Sequence, residues 1–358
     1  MQWPALQNLL FSPPDMLTQV TSNAVDDLLR EGESKNTLAS YRSALRYWAA
    51  WYASRYGAQI QLPLPVACVL QFIVDHAQRT TSKGLVSELP ALTDQALVDA
   101  GYKGKLGALA YNTVVHRLAV LSKAHQLREL SNPCQDAKVR ELLSRTRKAY
   151  AKRGALPVKK DALTKDPLAL VLATCDDSLR GKRDRALLLF AWSSGGRRRS
   201  EVAHAKMEFL KVIPTGYLYS LTSSKTNQSG ANLPENVKPL LGPSAAALTA
   251  WLAHAAISDG PIFRQVRKGG HLGNALSAAS VRDIVKARCA LAGLSGDFSA
   301  HSLRSGFVTE AGKQNVSLAD TMAMTGHRSV SAVLGYFRSG AMQDNAGAKL
   351  LGDTDAVG

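Results

Sequence analysis

The sequence predicts a mainly α-helical protein of two domains with one small β-sheet or hairpin. At 358 residues the chain exceeds what one ordinary hydrophobic core holds. Apolar residues recur at steps of three and four through most of its length, which is the period of an amphipathic helix. Residues 212–227 carry the one persuasive period-two alternation, and a turn signal follows at 226–230.

The first 151 residues are predicted to form an all-helical domain. Pro13 and Pro14 precede a helix over 16–29, and a second helix runs from Ser34 or Asn36 to Gly57. The apolar stripe predicted for this second helix is Leu38, Tyr41, Leu45, Trp48 and Tyr52. Further helices are predicted over 66–76, 92–100, 112–127 and 136–152.

A basic segment at 152–162 predicts the linker between the two domains. It contains two helix breakers, Gly154 and Pro157, among four lysines and arginines. Such a connector either lies against a polyanion or is simply solvated, and the sequence favours neither alternative.

The second domain, 163–358, is predicted to be mixed but mostly helical. A basic, glycine-rich loop is expected at 264–271, and a short terminal helix at about 341–352. The other predicted helices cover 167–174, 182–192, 200–205, 239–255, 280–294, 301–314 and 318–324.

The charge balance favours a polyanionic partner. Lysine and arginine number 44 against 28 aspartates and glutamates, a net charge of +16. Neutralising phosphates with such residues releases counterions, so nucleic acid is the expected partner. No apolar run reaches the length of a membrane span, and no membrane partner is expected.

The remaining composition excludes several classes of site. Four cysteines lie far apart with no Cys-x-x-Cys spacing, which argues against a disulfide framework and a structural zinc site. No secretory signal is recognisable at the N-terminus, so a reduced, cytoplasmic compartment is expected. The chain has no Walker-type phosphate loop and no clustered carboxylates for Mg²⁺, so no cofactor or metal is expected.

Residues 299–339 carry the most informative side chains. His301 and Arg304 are three residues apart and share a helix face, and His327 precedes Tyr336 by nine residues. Arginine can grip two phosphate oxygens, histidine can move protons, and tyrosine can attack. The set suits phosphate-ester chemistry. Upstream, Gly196-Arg-Arg-Arg-Ser-Glu201 places arginines at a helix start, where backbone N–H groups already favour an anion.

These motifs, in this order, resemble the tyrosine recombinase (phage integrase) family, and its Cre-type members in particular. The family pattern is a Gly-x-Arg-x-Ser-Glu box, then His-x-x-Arg, Leu-Gly-His and Tyr. Here the last three stand as His301-Ser-Leu-Arg304, Thr325-Gly-His327 and Tyr336. The motifs cover roughly residues 166–352. By architecture alone, 1–151 resembles the family's helical core-type DNA-binding domain and 163–358 its catalytic domain.

The resemblance implies a site-specific recombinase that cleaves and rejoins duplex DNA by transesterification. Tyr336 would attack a phosphodiester, forming a 3′-phosphotyrosine intermediate and releasing a 5′-hydroxyl. Arg304 and Arg198, which the family spacing selects, would clamp the non-bridging oxygens. His301 and His327 would hold those oxygens or handle the tyrosine's proton.

Two further roles follow from the resemblance. Lys225 would protonate the leaving 5′-oxygen, with Lys211 the weaker alternative, and Glu201 would orient its neighbours. The cationic pocket is expected to favour the ionised form of the phenol of Tyr336.

Phosphate contacts are expected beyond the catalytic set. Arg197 and Arg199 replace the apolar residues usual beside the family's arginine, and they either contact DNA or pair with acids. The candidate DNA-binding residues are Lys35, Arg42, Arg46, Arg197, Arg199, Arg267 and Lys268.

The resemblance also implies an assembly and a setting. The partner would be a double-stranded DNA site, bound by a dimer at each site and by a homotetramer on two sites, with the terminal helix docking on a neighbouring subunit. The setting would be the cytoplasm beside the nucleoid of a bacterium, with a phage- or plasmid-borne origin. Two alternatives are a non-catalytic helix-turn-helix regulator, since 317–336 alone fits that motif, and a single-strand-passing topoisomerase.

Overall fold

The computed structural model describes residues 35–156, 160–221 and 236–341. The chain divides into two compact units, Met1–Val158 and Lys159–Gly358, both mainly helical with small antiparallel sheets. Within these ranges no helix is long and apolar enough to cross a membrane. The helix predicted over 16–29 and the terminal helix expected beyond residue 341 lie outside the described residues.

The helices of the first unit follow the predicted periodicity closely. Gly57, with φ of 67°, ends the first of them, and the Asp136 side chain accepts a hydrogen bond from Lys138 N to cap the last. The helices are α1 Lys35–Tyr56, α2 Val66–His76, α3 Ala91–Asp99, α4 Tyr111–Leu127 and α5 Ala137–Lys152.

The buried face of α1 differs from the predicted stripe. Leu45 is 40% exposed, whereas Tyr47 and Trp51 are fully buried beside Trp48. The reason lies in α2, because Asp75 accepts from Trp51 Nε1 at 2.9 Å and the His76 ring bonds the Tyr47 hydroxyl at 2.7 Å. Large aromatic side chains with polar tips bury where those tips find partners.

The prediction of an all-helical first unit is wrong at one place. Strands β1 Arg79–Thr81 and β2 Gly84–Val86 form an antiparallel hairpin in which Thr81 pairs with Gly84. Strands of three residues are too short to show a period-two pattern, which is why the sequence did not reveal them.

In the described residues of the second unit, helices and two small sheets surround a buried core. Its helices are α6 Lys165–Ala173, α7 Leu179–Ser193, α8 Arg199–Ala203, α9 Pro243–His254, α10 Ala278–Leu291, α11 Ala300–Lys313, α12 Leu318–Thr325 and α13 Val330–Ala341. Its strands are β3 Leu210–Ile213, β4 Gly216–Ser220 and β5 Val237–Leu241 in the order β3-β4-β5, with β6 Arg264–Val266 and β7 Leu272–Ala275 forming a separate hairpin.

Two expectations for this unit are corrected. Pro239 and Leu240 lie in β5 instead of a helix, because Gly242 turns the chain at φ of 55° and α9 begins only at Pro243. The loop expected at 264–271 is the β6–β7 hairpin, whose turn carries Arg267 and Lys268. The turn predicted at 226–230 lies outside the described residues.

Helix α11 is approached unusually closely by neighbouring chain. A Cβ at Gly306 would overlap the carbonyl of Leu163, and a Cβ at Gly312 would overlap the carbonyl oxygen of Phe337 in α13. Glycine at 306 lets the segment before α6 approach α11, and glycine at 312 lets α13 lie directly against α11. This packing brings residues from both helices into one site.

Candidate active site

The turn before α8 presses against two other helices. Gly195 and Gly196 have φ of 92° and 69°, in the left-handed region. A Cβ on Gly195 would overlap the carbonyl of Met324 at the end of α12, and one on Gly196 would overlap the backbone of Arg304 in α11. The two glycines therefore hold the arginine box against the helices that carry the other motifs.

Arg198 occupies the N-cap position of α8 and is held by a carboxylate. Glu201, which is buried, accepts from Arg198 N at 3.1 Å and from Arg198 Nη1 at 2.8 Å. The side chain of Arg198 remains partly exposed. Its guanidinium is thus oriented and still accessible.

Arg304 lies at the centre of the site and is only 4% exposed. Its Nη1 donates to Gly196 O at 3.2 Å, and its Nε and Nη2 lie 3.2 and 3.1 Å from His327 Nε2. Burial, followed by the charges of Arg197 and Arg198, lowers the pKa of Arg304 to about 9, so the side chain stays cationic at neutral pH.

His327 is held at both ring nitrogens. Since Nε2 accepts from the guanidinium of Arg304, Nδ1 carries the proton and donates to Thr325 Oγ1 at 2.7 Å. Burial first, then Arg304, Arg198, Arg197 and His301, lower its pKa to about 4. The imidazole is therefore neutral near pH 7.

His301 and Tyr336 face each other across α11 and α13. Their ring centroids lie 6.2 Å apart at an interplanar angle of 67°, and Thr309 Oγ1 donates to Tyr336 O at 3.3 Å. Desolvation of its ring, then Arg304 and Arg198, lower the pKa of His301, although part of the residue remains exposed. A neutral imidazole thus lies beside the phenol.

The expectation that the pocket favours the ionised phenol is wrong for the free chain. Burial raises the pKa of Tyr336 above its ordinary value of 10. The ring beside it, His301, is neutral, while the guanidinium of Arg304 is directed to His327 and Gly196. The phenol is therefore protonated before any substrate binds.

Arg197 does not lie where a DNA contact needs it. The residue is 3% exposed, its Nη2 donates to Met324 O at 2.7 Å, and its Nη1 lies 3.8 Å from Glu201. The DNA-binding expectation is wrong for Arg197, and the alternative of pairing with an acid describes its environment. The reason is the tight Gly195–Gly196 turn, which points this side chain into the interior.

The other predicted contact residues lie on the surface or outside the described part. Arg42 and Arg46 are exposed on α1, and Lys35 is its first residue. Arg199, Arg267 and Lys268 are exposed in the second unit. Lys225 lies outside the described residues, and its alternative Lys211 is exposed on β3.

Sequence reasoning missed two residues that contact the site's framework. Thr325 holds Nδ1 of His327, and Lys238 of β5 is buried with its Nζ 2.5 Å from Ala323 O. A lysine inside a strand offers no sequence signal of burial, whereas the hydroxyl just before Gly326-His327 could have been noticed. Among the described residues, no group of three or more His, Cys, Asp or Glu side chains could hold a metal ion.

Comparisons of the sequence with known proteins indicate the family of the chain. The sequence model of the phage integrase family matches residues 161–342. An integrase/recombinase xerD homolog of Selenomonas ruminantium is 35% identical over 248 residues, which cover 66% of this chain and 71% of the relative.

Solved structures show the same fold at low identity. A lambda integrase dimer bound to a COC′ core site has a TM-score of 0.54 at 16% identity and covers 89% of this chain and 94% of its own. The Tn1549 transposon integrase in complex with transposon right end DNA has a TM-score of 0.54 at 14% identity, covering 92% of this chain and 96% of its own. The chain belongs to the phage integrase family of tyrosine recombinases, enzymes that cleave and rejoin DNA.

Proposed function

We propose that this chain is a site-specific recombinase in which Tyr336 is the nucleophile. One observation carries the proposal: α11 places His301 beside Tyr336 and, one turn later, Arg304 against His327. A nucleophile, a neutral base and a cationic phosphate clamp therefore meet in one place.

The arginines would bind the scissile phosphate. The contacts of Arg304 with Gly196 and His327 use three of the five N–H donors of a guanidinium, which leaves two for phosphate oxygens. Arg198, oriented by Glu201 and partly exposed, would take the other side. Such preorganised donors stabilise the additional negative charge of the transition state.

Proton transfer would begin at the His301–Tyr336 pair. As the phenolic oxygen bonds to phosphorus, the neutral ring of His301 accepts its proton, and the bond from phosphorus to the 5′-oxygen breaks. The leaving oxygen takes a proton to become a 5′-hydroxyl. Lys225, in the sequence between β4 and β5, is the proposed donor.

Rejoining would reverse these steps with a second strand. Its 5′-hydroxyl attacks the 3′-phosphotyrosine, the new diester forms, and the proton returns to Tyr336. One phosphodiester is exchanged for another, so the reaction needs no external energy source.

The substrate would be two duplex sites held by a homotetramer, with a dimer on each site. Support comes from a related solved structure, a lambda integrase tetramer bound to a Holliday junction, at a TM-score of 0.50. A DNA substrate would place the action in the bacterial cytoplasm, beside the nucleoid.

Covalent trapping tests the proposal. Purified protein is mixed with pooled genomic fragments that include the flanks of its own gene, with EDTA present, and SDS-resistant adducts are collected. We expect adducts with the wild type, none with Tyr336→Phe, and normal yield with Tyr217→Phe. Tyr217 provides the matched control, since its hydroxyl bonds Thr249 away from the site.

Two other outcomes of the trapping experiment would contradict the proposal. Tight, salt-sensitive duplex binding without any adduct would favour the helix-turn-helix regulator. Adducts that persist in Tyr336→Phe would mean that another residue is the nucleophile.

A further inference from the structure

The last turn of α12 receives two buried cations. Lys238 Nζ lies 2.5 Å from Ala323 O, and Arg197 Nη2 lies 2.7 Å from Met324 O. Lys238 is 2% exposed and Arg197 is 3% exposed. The two side chains come from different elements, one from β5 and one from the turn before α8.

The end of a helix is where such donors act most strongly. The last carbonyls of a helix lack intrahelical partners and carry the negative end of the helix dipole. In α12, the N–H of Gly326 donates to Met322 O. Lys238 and Arg197 donate to the next two carbonyl oxygens along the helix. Burying two cations is costly without such partners, so their convergence on adjacent carbonyls fixes this helix end tightly.

The end of α12 leads directly into the site. Gly326, in the left-handed conformation with φ of 69°, turns the chain into His327. Thr325, the last residue of α12, holds Nδ1 of that ring, and Arg304 holds Nε2. The location of the α12 terminus therefore sets the location of the imidazole.

We propose that Lys238 and Arg197 are positioning residues that clamp the C-terminal turn of α12 and thereby hold His327 against Arg304. The catalytic importance of the clamp rests on the proposed function, whereas its geometry does not. Both side chains are buried and each directs a donor to the helix end, so neither is proposed to contact the phosphate.

At this site, the effect of the clamp on the position of His327 can be separated from its effect on the charge around that ring. The charged or titratable groups that face His327 are Arg304 and His301 of α11 and Arg197 and Arg198 before α8. Burial and the charges of these four groups are the main causes of the lowered pKa of His327. Removing Lys238 therefore changes this pKa through loss of position, whereas removing Arg197 also removes a charge.

Histidine NMR on the full chain tests the clamp without any DNA. Ring signals of ¹³C-labelled histidine are titrated, and His327→Gln assigns the resonance. In the wild type we expect a pKa of about 4. In Lys238→Met the freed ring gains water and leaves the guanidinium, so its pKa should rise toward 6.5 by at least about one pH unit.

Arg288→Met is the matched control. Arg288 is also a buried cation on a helix-end carbonyl, donating to Thr174 O at 2.6 Å and pairing with Asp184. The Arg288→Met variant should be less stable than the wild type, and the pKa of its His327 should be unchanged. If Lys238→Met fails to fold, Arg197→Lys keeps the charge, shortens the reach, and should raise the same pKa. An unchanged His327 pKa in a folded clamp variant would overturn the proposal.

A second readout connects the clamp to the reaction. On DNA trapped by the wild type, covalent cleavage by Lys238→Met should slow more steeply between about pH 8 and pH 6 than cleavage by Arg288→Met. The reason is that a protonated His327 no longer accepts from Arg304. Parallel pH profiles would count against the clamp, whereas a wild type without cleavage would refute the proposed function and leave the NMR result standing.

Discussion

Among single residues, Arg304 shows how a buried cation is prepared for a substrate. Burial disfavours its charge and its neighbours Arg197 and Arg198 repel it, so its pKa falls to about 9. A bound phosphate, as proposed, would supply a compensating negative charge beside this guanidinium.

Replacing this guanidinium tests its role in the transition state. We expect Arg304→Lys to reduce single-turnover adduct formation by about 10²–10³-fold, because lysine cannot give bidentate hydrogen bonds and cannot reach His327 and Gly196 together. DNA affinity should change much less. Arg282→Lys, an exposed arginine beside Asp283 on α10, should match the wild type. A cleavage rate within threefold of the wild type in Arg304→Lys would contradict this role.

Among the elements, the contact of α11 with α13 positions Tyr336, the proposed nucleophile. Gly312 lets the backbone of α13 approach at Phe337, and Thr309 bonds the carbonyl of Tyr336. Both contacts lie on α11, which also carries His301. The distance between the rings of His301 and Tyr336 is therefore set by the packing of two helices.

A methyl group at this contact should separate the two helices. We expect Gly312→Ala to slow adduct formation by about tenfold to a hundredfold, since small misplacements of reacting groups have effects of that size. Overpacking should also lower stability by about 1–3 kcal/mol, measurable by urea unfolding. Gly104→Ala, where a Cβ would meet nothing within 4 Å, should change neither quantity. Wild-type cleavage by Gly312→Ala would show that the close contact is dispensable.

The sequence predicts an element correctly where the residues of that element alone determine its structure. Helix α2 was predicted over 66–76, as observed, because proline precedes it and its apolar pattern is complete. The buried face of α1 depends on Asp75 and His76 from another helix. The apolar pattern of α1 alone therefore predicts a different buried face. The order of His301, Arg304, His327 and Tyr336 suggested one site, and the structure brings these four side chains together. The burial of Arg197 and Lys238 is set by packing between elements, which no local pattern records.

At the level of the whole molecule, we expect the net charge of +16 to strengthen the attraction to DNA. Among the exposed arginines proposed to bind DNA, Arg46 lies 5.6 Å over the ring of Tyr102, which limits its freedom on α1. A side chain held in this way loses less entropy on binding a phosphate.

Salt dependence measures these contacts. If Arg42 and Arg46 each bind one phosphate, the double variant Arg42→Gln/Arg46→Gln should flatten the slope of log K against log salt by about 2. Arg282→Gln should leave the slope unchanged. Equal slopes for the double variant and the wild type, measured by fluorescence anisotropy across salt concentrations, would remove α1 from the DNA interface.

The most direct test of the account identifies the atom that carries the DNA. Trapped adducts are digested with nuclease and trypsin, and the peptides are analysed by mass spectrometry. Trypsin releases residues 329–338, SVSAVLGYFR, in which Tyr336 is the sole tyrosine. We predict that this peptide gains the mass of a 3′-linked nucleotide and that fragmentation locates it on Tyr336. A nucleotide on any other peptide, with 329–338 recovered unmodified, would contradict the account.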